Sequence, residues 1–504
     1  MVDTFNEFGR SSGVLVHPSS LGGLGIGDLG QPTIDFIDWL AEAGQRYWQI
    51  LPLVPVDSGG SPYNGLSALA GNPLLLSPEL LRDDGLLSED DLVKGQNLPI
   101  DRVDFAAVLE WKEEILVTAY RNFLSGSARN LAQPFDAFHA ANEEWLADYP
   151  LFRAARDYHR GIPWTEWPKD LRNREPLALD RWKQLLFDEV GGYAFQQFLF
   201  ARQWGQVREY AREKGIRIIG DLPIFVAYDS SDVWANREIF KLDEHGSPLV
   251  VAGVPPDYFS KTGQRWGNPL YRWDVLKERE YDWWVKRVRR TLEMVDIVRI
   301  DHFRGFEASW EIPADADTAV DGEWVKGPGT AFFRSLAEQL GTLPLIAEDL
   351  GLITPEVEEL RDELGLPGMR VLQFGFDGDP KNTHLPDNYT SVSVAYTGTH
   401  DNDTTAGWWQ TLPSDQRHQV KRWMKEQHPS TWDLIRAVFE SSSQLAVIPV
   451  QDLLSLGSEA RLNTPGEANN NWTWRMGRHN LTQAVADRLR QLTHATGRAS
   501  LPDE

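Results

Sequence analysis

Eight short apolar runs, each ending in polar residues, set the tightest limit on what this chain can fold into. They read GVLVH (13–17), YWQILPL (47–53), IRIIGDLPIF (216–225), VDIVRID (295–301), PLIAED (344–349), MRVLQF (369–374), SVSVAYTGTHD (391–401) and AVIPVQD (446–452). Nearly continuous Val, Ile and aromatic runs suit strands of a parallel sheet covered by helices. Helical patterns separate most of them, and eight strands is the number a (β/α)8 barrel needs. A doubly wound sheet competes. It would place a Gly-rich phosphate turn after the first strand, and the glycines of SSLGGLGIGDLG (19–30) roughly qualify. No acidic residue closes a second strand about twenty residues later, so 19–30 is read as a loop.

The predicted fold is therefore a single (β/α)8 barrel, a TIM barrel, spanning 1–504, with two interruptions. About 160 residues separate the second and third runs, far beyond an ordinary βα unit. Segments such as DFAAVLEWKEEILVTAYRNFL (104–124) have helical spacing, which predicts a mostly helical insertion over 54–190. VGGYAFQQFLFARQWGQVREYAREKG (190–215) then reads as the helix that feeds the third strand, with Gly215 as its stop. The second interruption, 243–275, is rich in Gly, Pro and aromatics. That composition argues against regular structure and for a lid loop after the third strand. The tail beyond about residue 493 is expected to fray.

Composition narrows the chemistry. Acidic residues outnumber basic ones by 74 to 50, a formal charge of -24. Binding nucleic acid needs basic patches, so that class is set aside. No cysteine is present, which removes disulfides, thiol catalysis and thiolate metal sites, and suits the cytoplasm. MVDTFNEFGRSSG shows no secretion signal, and no apolar run is long enough for a membrane span. The 21 Trp residues outnumber the 13 Tyr. Their flat faces pack in cores and also stack on sugar rings.

In such a barrel the active site lies at the C-terminal strand ends. Four runs deliver acids there: Asp221, Asp301, Glu348 and Asp401. Any one of them could simply cap the next helix, but acids converging from four strands favour catalysis. Asp349 and Asp403, beside them, read as supporting groups. In VRID, Arg299 and Asp301 share one strand face while Val298 and Ile300 take the other. An arginine beside an aspartate keeps it ionised; the plainer alternative is a salt bridge that closes a strand. His17, His302 and His400 also fall at strand ends and could join carboxylates around a metal. No i, i+4 pair such as HExxH supports that, and no cofactor is expected. Glycosyl transfer fits this inventory best. A retaining enzyme needs an ionised carboxylate to attack the anomeric carbon and a protonated one for the leaving oxygen, with pKa values driven apart. Arg299 would hold Asp301 ionised, and the charge of Asp301 would keep Glu348 protonated.

The chain resembles the amylomaltase family, the 4-α-glucanotransferases or disproportionating enzymes of the α-amylase clan, from RSSGVLVHPSSLGGLGIGDLG (10–30) to NTPGEANNNWTWR (463–475). The blocks ILPLVPVDSGGSPYNGLSALAGNPLLL, GDLPIFVAYDSSDVWAN, VAGVPPDYFSKTGQRWGNPLY, VRIDHFRGF, AEDLG and GTHDNDTTAGWW carry the likeness. The resemblance implies that Asp301 is the nucleophile, Glu348 the acid/base and Asp401 the third carboxylate, which grips sugar hydroxyls in the transition state. It implies supporting roles for Asp221, Arg299, His302 and His400, and places Tyr63 near the cleavage point. The 243–275 stretch matches a mobile loop on the acceptor side, with Tyr258 and Phe259 near its tip and Trp266 beyond. Asn463 and Pro465 match positions expected to touch glucan. Asn64, Gly65, Leu66 and Asp387 depart from the family's common residues, which bears on secondary glucan binding and chain length.

The implied partners are α-1,4-glucans and maltooligosaccharides, with glucose as an acceptor and no cofactor. Two other readings stay open. An α-amylase-type hydrolase would use the same acids in a more open site, and the aromatic lid speaks against it. A non-catalytic glucan-binding protein would not require Asp301, Glu348 and Asp401 together.

Overall fold

The computed structural model describes residues 9–256, 260–467, 469–477 and 480–499. Its twelve strands, in chain order, are β1 (Ser11–Leu15), β2 (Tyr47–Gln49), β3 (Arg217–Pro223), β4 (Val250–Val254), β5 (Gln264–Pro269), β6 (Ile297–Asp301), β7 (Ala308–Pro313), β8 (Glu323–Lys326), β9 (Leu345–Ala347), β10 (Gly368–Val371), β11 (Ser393–Tyr396) and β12 (Leu445–Pro449). Eight of them close a parallel barrel in the order β1-β12-β11-β10-β9-β6-β3-β2. Each falls within or overlaps one of the eight apolar runs.

The period-2 alternation sorts side chains between two cores. Ile219, Ile297, Ile346, Met369 and Val447 belong to the cluster inside the barrel. Ile218, Val298, Ile300, Ala347 and Ile448 pack outward against the helices. Asp221 follows Ile219 by two residues, and Arg299 and Asp301 follow Ile297 by two and four. They therefore inherit the inner face. Register finishes the placement, since Asp221 pairs with Arg299 and Pro223 with Asp301 across β3 and β6.

Between β2 and β3 the chain forms helices that include Glu89–Gln96, Phe105–Leu124, Ala132–Ala141, Tyr149–Tyr158 and Pro176–Leu185. Asp104 starts the longest of these, its side chain accepting from Ala107 N–H. The helix feeding β3 runs Phe187–Glu213, and Gly215 beyond it adopts φ 72°, a left-handed stop.

Two expectations need correction. The 243–275 stretch contains regular structure: β4 and β5 pair antiparallel within a second sheet of order β5-β4-β7-β8. Glycine is a packing device there. A Cβ on Gly253 would stand 2.2 Å from Gln264 O, so only glycine lets β5 approach so closely. The tail is also held as far as Arg498. A helix extends over Gln483–Ala495, and Arg498, 0% exposed, donates to Phe439 O at 2.8 Å and Ser11 O at 2.9 Å. Those carbonyls lie at the end of a helix and the start of β1, and a planar guanidinium with five N–H donors can bridge them.

Candidate active site

Parallel strands put all their C-terminal ends on one rim. Asp301 is the last residue of β6, Glu348 directly follows β9, and Asp221 lies near the end of β3. Asp401 comes from the loop after β11.

Arg299 organises the inner layer. Its Nη1 donates to Asp221 Oδ2 at 2.6 Å and its Nη2 lies 3.1 Å from Asp301 Oδ1. The Asp221 side chain is 0% exposed and that of Asp301 27%. Only the second opens to the cleft. Tyr63 OH donates to the same Asp221 oxygen at 2.6 Å, and its ring stacks on His400 with centroids 5.2 Å apart at 14°. Burial and the charge of Asp221 push the Tyr63 hydroxyl well above its usual pKa, so it stays a donor. Arg299 stays charged, because the pull of Asp221 and Asp301 outweighs the burial that opposes it.

Glu348 is held by the backbone. Oε2 accepts from His302 N–H at 2.7 Å and Oε1 from Leu350 N–H at 2.9 Å. His302 reaches that position with φ 52°, a left-handed conformation unusual outside glycine. Its ring meets Trp266 edge-on at 4.9 Å. Asp401 Oδ1 accepts from Asn463 Nδ2 at 2.6 Å and lies 3.4 Å from His400 Nε2. With 42% of its side chain exposed, Asp401 faces the opening.

The electrostatics correct one expectation. Arg299 does pull the Asp301 carboxyl down, yet burial, followed by the charges of Asp221 and Asp401, pushes it up to about 7. Glu348 rises further, to about 8, through burial and then the charge of Asp301, against Arg299 and its two N–H donors. Arg299 bonds Asp301 directly and so favours its ionisation over that of Glu348. Burial lowers His17 and His302 to about 3 and lowers His400 as well, leaving all three imidazoles neutral near pH 7. They offer hydrogen bonds and ring faces, not charge. Among the described residues no three His, Asp or Glu side chains form a group that could hold a metal ion.

The structure thus gathers Tyr63, Asp221, Arg299, Asp301, His302, Glu348, His400, Asp401 and Asn463 at one rim, with Trp266 beside His302. Pro465 sits exposed on the turn after Asn463. Tyr258 and Phe259 lie outside the described residues. Sequence reasoning missed Trp472, whose ring lies 5.7 Å from that of Tyr63 and 6.0 Å from that of His400. It also missed Arg461, which donates to Asp401 O at 2.6 Å. Trp472 stands inside the NNNWTWR block and was there to be found; nothing in the sequence marks Arg461.

A family model described as 4-alpha-glucanotransferase matches residues 16–481. The 4-alpha-glucanotransferase of Thermus thermophilus is 49% identical over 502 residues, covering 98% of this chain and 100% of that one. That of Synechocystis sp. is 48% identical over 495 residues, covering 97% and 98%. Among solved structures, an amylomaltase from Streptococcus agalactiae in complex with acarbose matches with a TM-score of 0.94 at 39% identity, over 97% of this chain and 100% of that one. The model match and these relatives span nearly the whole sequence, and the chain belongs to the 4-alpha-glucanotransferase family.

Proposed function

We propose that the protein cuts an α-1,4-glucan and transfers the donor segment to the 4-hydroxyl of a second glucan or of glucose, with retention of configuration. Asp301 attacks the anomeric carbon while Glu348 gives its proton to the departing glycosidic oxygen. The new reducing-side fragment leaves, and the donor remains as an ester on Asp301. Glu348, now ionised, takes the proton of the incoming 4-hydroxyl as that oxygen displaces Asp301. Kinetics are ping-pong, because the first product departs before the acceptor binds. Asp401, braced by Asn463 and beside His400, grips sugar hydroxyls as charge develops. Asp221 and Tyr63 act through Arg299 and its hold on Asp301.

One observation carries this division of roles. Arg299 lies 3.1 Å from Asp301 while Glu348 is held by backbone N–H groups, an arrangement that favours an ionised Asp301 beside a protonated Glu348. The helices of 54–190 form an insertion subdomain, and 243–275 covers the acceptor side, with the half-exposed ring of Trp266 available to a sugar. Asn463 and Pro465 line the glucan path. The cysteine-free chain acts in the cytoplasm, a reducing compartment that such a composition suits. Among the described residues no helix is long and apolar enough to cross a membrane.

Incubation with maltotriose tests the reading. Transfer yields glucose together with a ladder of longer maltooligosaccharides and no net gain of reducing ends. Release of reducing ends without longer products would make the protein a hydrolase instead.

A further inference from the structure

Two of the three acids leave the barrel directly, Asp301 as the end of β6 and Glu348 one residue past β9. Asp401 does not. It stands five residues beyond Tyr396, the end of β11, in a loop that runs into the helix Thr405–Thr411. Sheet hydrogen bonds cannot fix it there, yet a group that acts in the transition state has to be placed within a fraction of an ångström. Something else must hold the loop.

Arg461 and Asn463 hold its middle, at Asp401 O and His400 O, and its two ends are held by Asp452, just past the end of β12. Its Oδ2 accepts from the Thr397 hydroxyl at 2.5 Å and the Thr405 hydroxyl at 2.6 Å, and its Oδ1 accepts from Thr405 N–H at 2.7 Å. One carboxylate therefore clasps both ends of the loop. Asp452 is 1% exposed. A buried carboxylate is costly unless its oxygens are hydrogen-bonded, and these three donors all come from the loop, so clasp and loop hold each other. Within the loop, Thr399 donates its N–H and hydroxyl to Asn402 Oδ1 at 2.8 and 2.9 Å, which shapes the turn that carries Asp401.

We propose that Asp452 is a positioning residue for the transfer reaction: by clasping Thr397 and Thr405 it fixes the loop that aims Asp401, and it acts through that carboxylate. The inference rests on the reading of Asp401 as the third catalytic acid. A purely structural Asp452 would cap the helix Thr405–Thr411 and affect stability alone.

Asp452→Asn, alone and combined with Asp401→Asn, separates the two. The readouts are kcat and KM with an α-maltotriosyl fluoride donor, followed by fluoride release, and thermal unfolding measured alongside. The single change should lower kcat on the order of 10- to 100-fold with KM moved less than about threefold. In the Asp401→Asn background the same change should cost less than about threefold more, because residues acting through one another are not additive. Equal losses in both backgrounds, or an unchanged kcat in the single variant, overturn the proposal. An Asp401→Asn variant with wild-type kcat would instead sink the reading of the site on which it rests. If Asp452→Asn does not fold, Thr397→Val and Thr397→Ser decide. Valine keeps the shape without the hydroxyl and should lose more kcat than serine, which keeps it. Equal losses count against the clasp.

Discussion

The backbone N–H of His302 donates to Glu348 Oε2 at 2.7 Å, so the residue after the proposed nucleophile holds the proposed acid/base. The left-handed turn at His302 is what aims that N–H, and such a conformation costs a non-glycine residue on the order of 1 kcal/mol or more. It turns the His302 N–H towards Glu348 at the junction of β6 with the site. Together with Leu350 N–H it favours the ionised carboxyl, while burial favours the neutral one, and burial wins. Glu348 is thereby oriented by donors without being stripped of its proton.

The two acids should fail differently. Asp301→Asn should abolish the glycosyl-enzyme with every donor, since each needs the nucleophile. Glu348→Gln should lose transfer from ordinary glucans yet form the intermediate from a glycosyl fluoride, whose leaving group needs no proton. The glutamine amide must also point its NH2 at one of the two backbone N–H groups, so this variant should lose about 1–3 kcal/mol of stability as well. Mass spectrometry of the trapped ester and a thermal melt check both parts. Equal fluoride rescue of the two variants would mean that the roles are wrongly assigned.

The pH profile should be a narrow bell. The first step requires Asp301 ionised and Glu348 protonated, so kcat/KM should rise as pH passes about 7 and fall above about 8. The apparent values belong to the pair, because each charge shifts the other. With a glycosyl fluoride the alkaline fall in the glycosylation step should vanish. An alkaline limb that persists with that donor would assign it to a group other than Glu348.

Stability should carry the opposite sign. Asp301 titrates near 7 in the folded protein against about 4 when unfolded. Its contribution to stability is therefore full below about pH 4 and is lost as pH rises through 7. Asparagine keeps an oxygen for Arg299 and never ionises. Asp301→Asn should thus melt above the wild type at pH 8, with the gain shrinking towards pH 4. A gain that is flat across that range would exclude the carboxyl as its cause.

The barrel and its rim were legible because the same alternation that buries Ile219 and Ile297 carries Asp221, Arg299 and Asp301 to the inner face. Two residues of strand separate a core position from a site position, and a sequence displays that directly. The second sheet was not legible. Gly253 looks like a strand breaker, but it serves a close backbone approach that only the partner strand reveals. β7 and β8 were missed because ASWEIP and EWVK interrupt their apolar residues with charged ones and lack the continuous apolar run of the barrel strands. The pKa of Asp301 was misjudged for a related reason: Arg299 is visible two positions away, whereas burial and the charges of Asp221 and Asp401 arrive through the fold. Asp452 was hidden similarly, since its importance lies in Thr397 and Thr405, some fifty residues earlier.

Transfer must beat water, and that sets the last prediction. Water at about 55 M outnumbers a millimolar acceptor roughly ten-thousandfold, a handicap of about 5–6 kcal/mol. The protein must recover it by orienting the sugar and excluding solvent from the ester on Asp301. Trp266 is 40% exposed and lies edge-on to the ring of His302, the residue after Asp301, so part of its ring is open to a sugar. Against such a face a pyranose ring gains contact and water gains little. Trp266→Ala should therefore raise the ratio of reducing-end release to glucose transfer on maltotriose, and total turnover should fall as the orienting contact is lost. Trp266→Phe should stand between the two. If the alanine variant transfers and hydrolyses in the wild-type ratio, Trp266 does not select the acceptor, and Tyr258→Ala with Phe259→Ala is the next pair to measure.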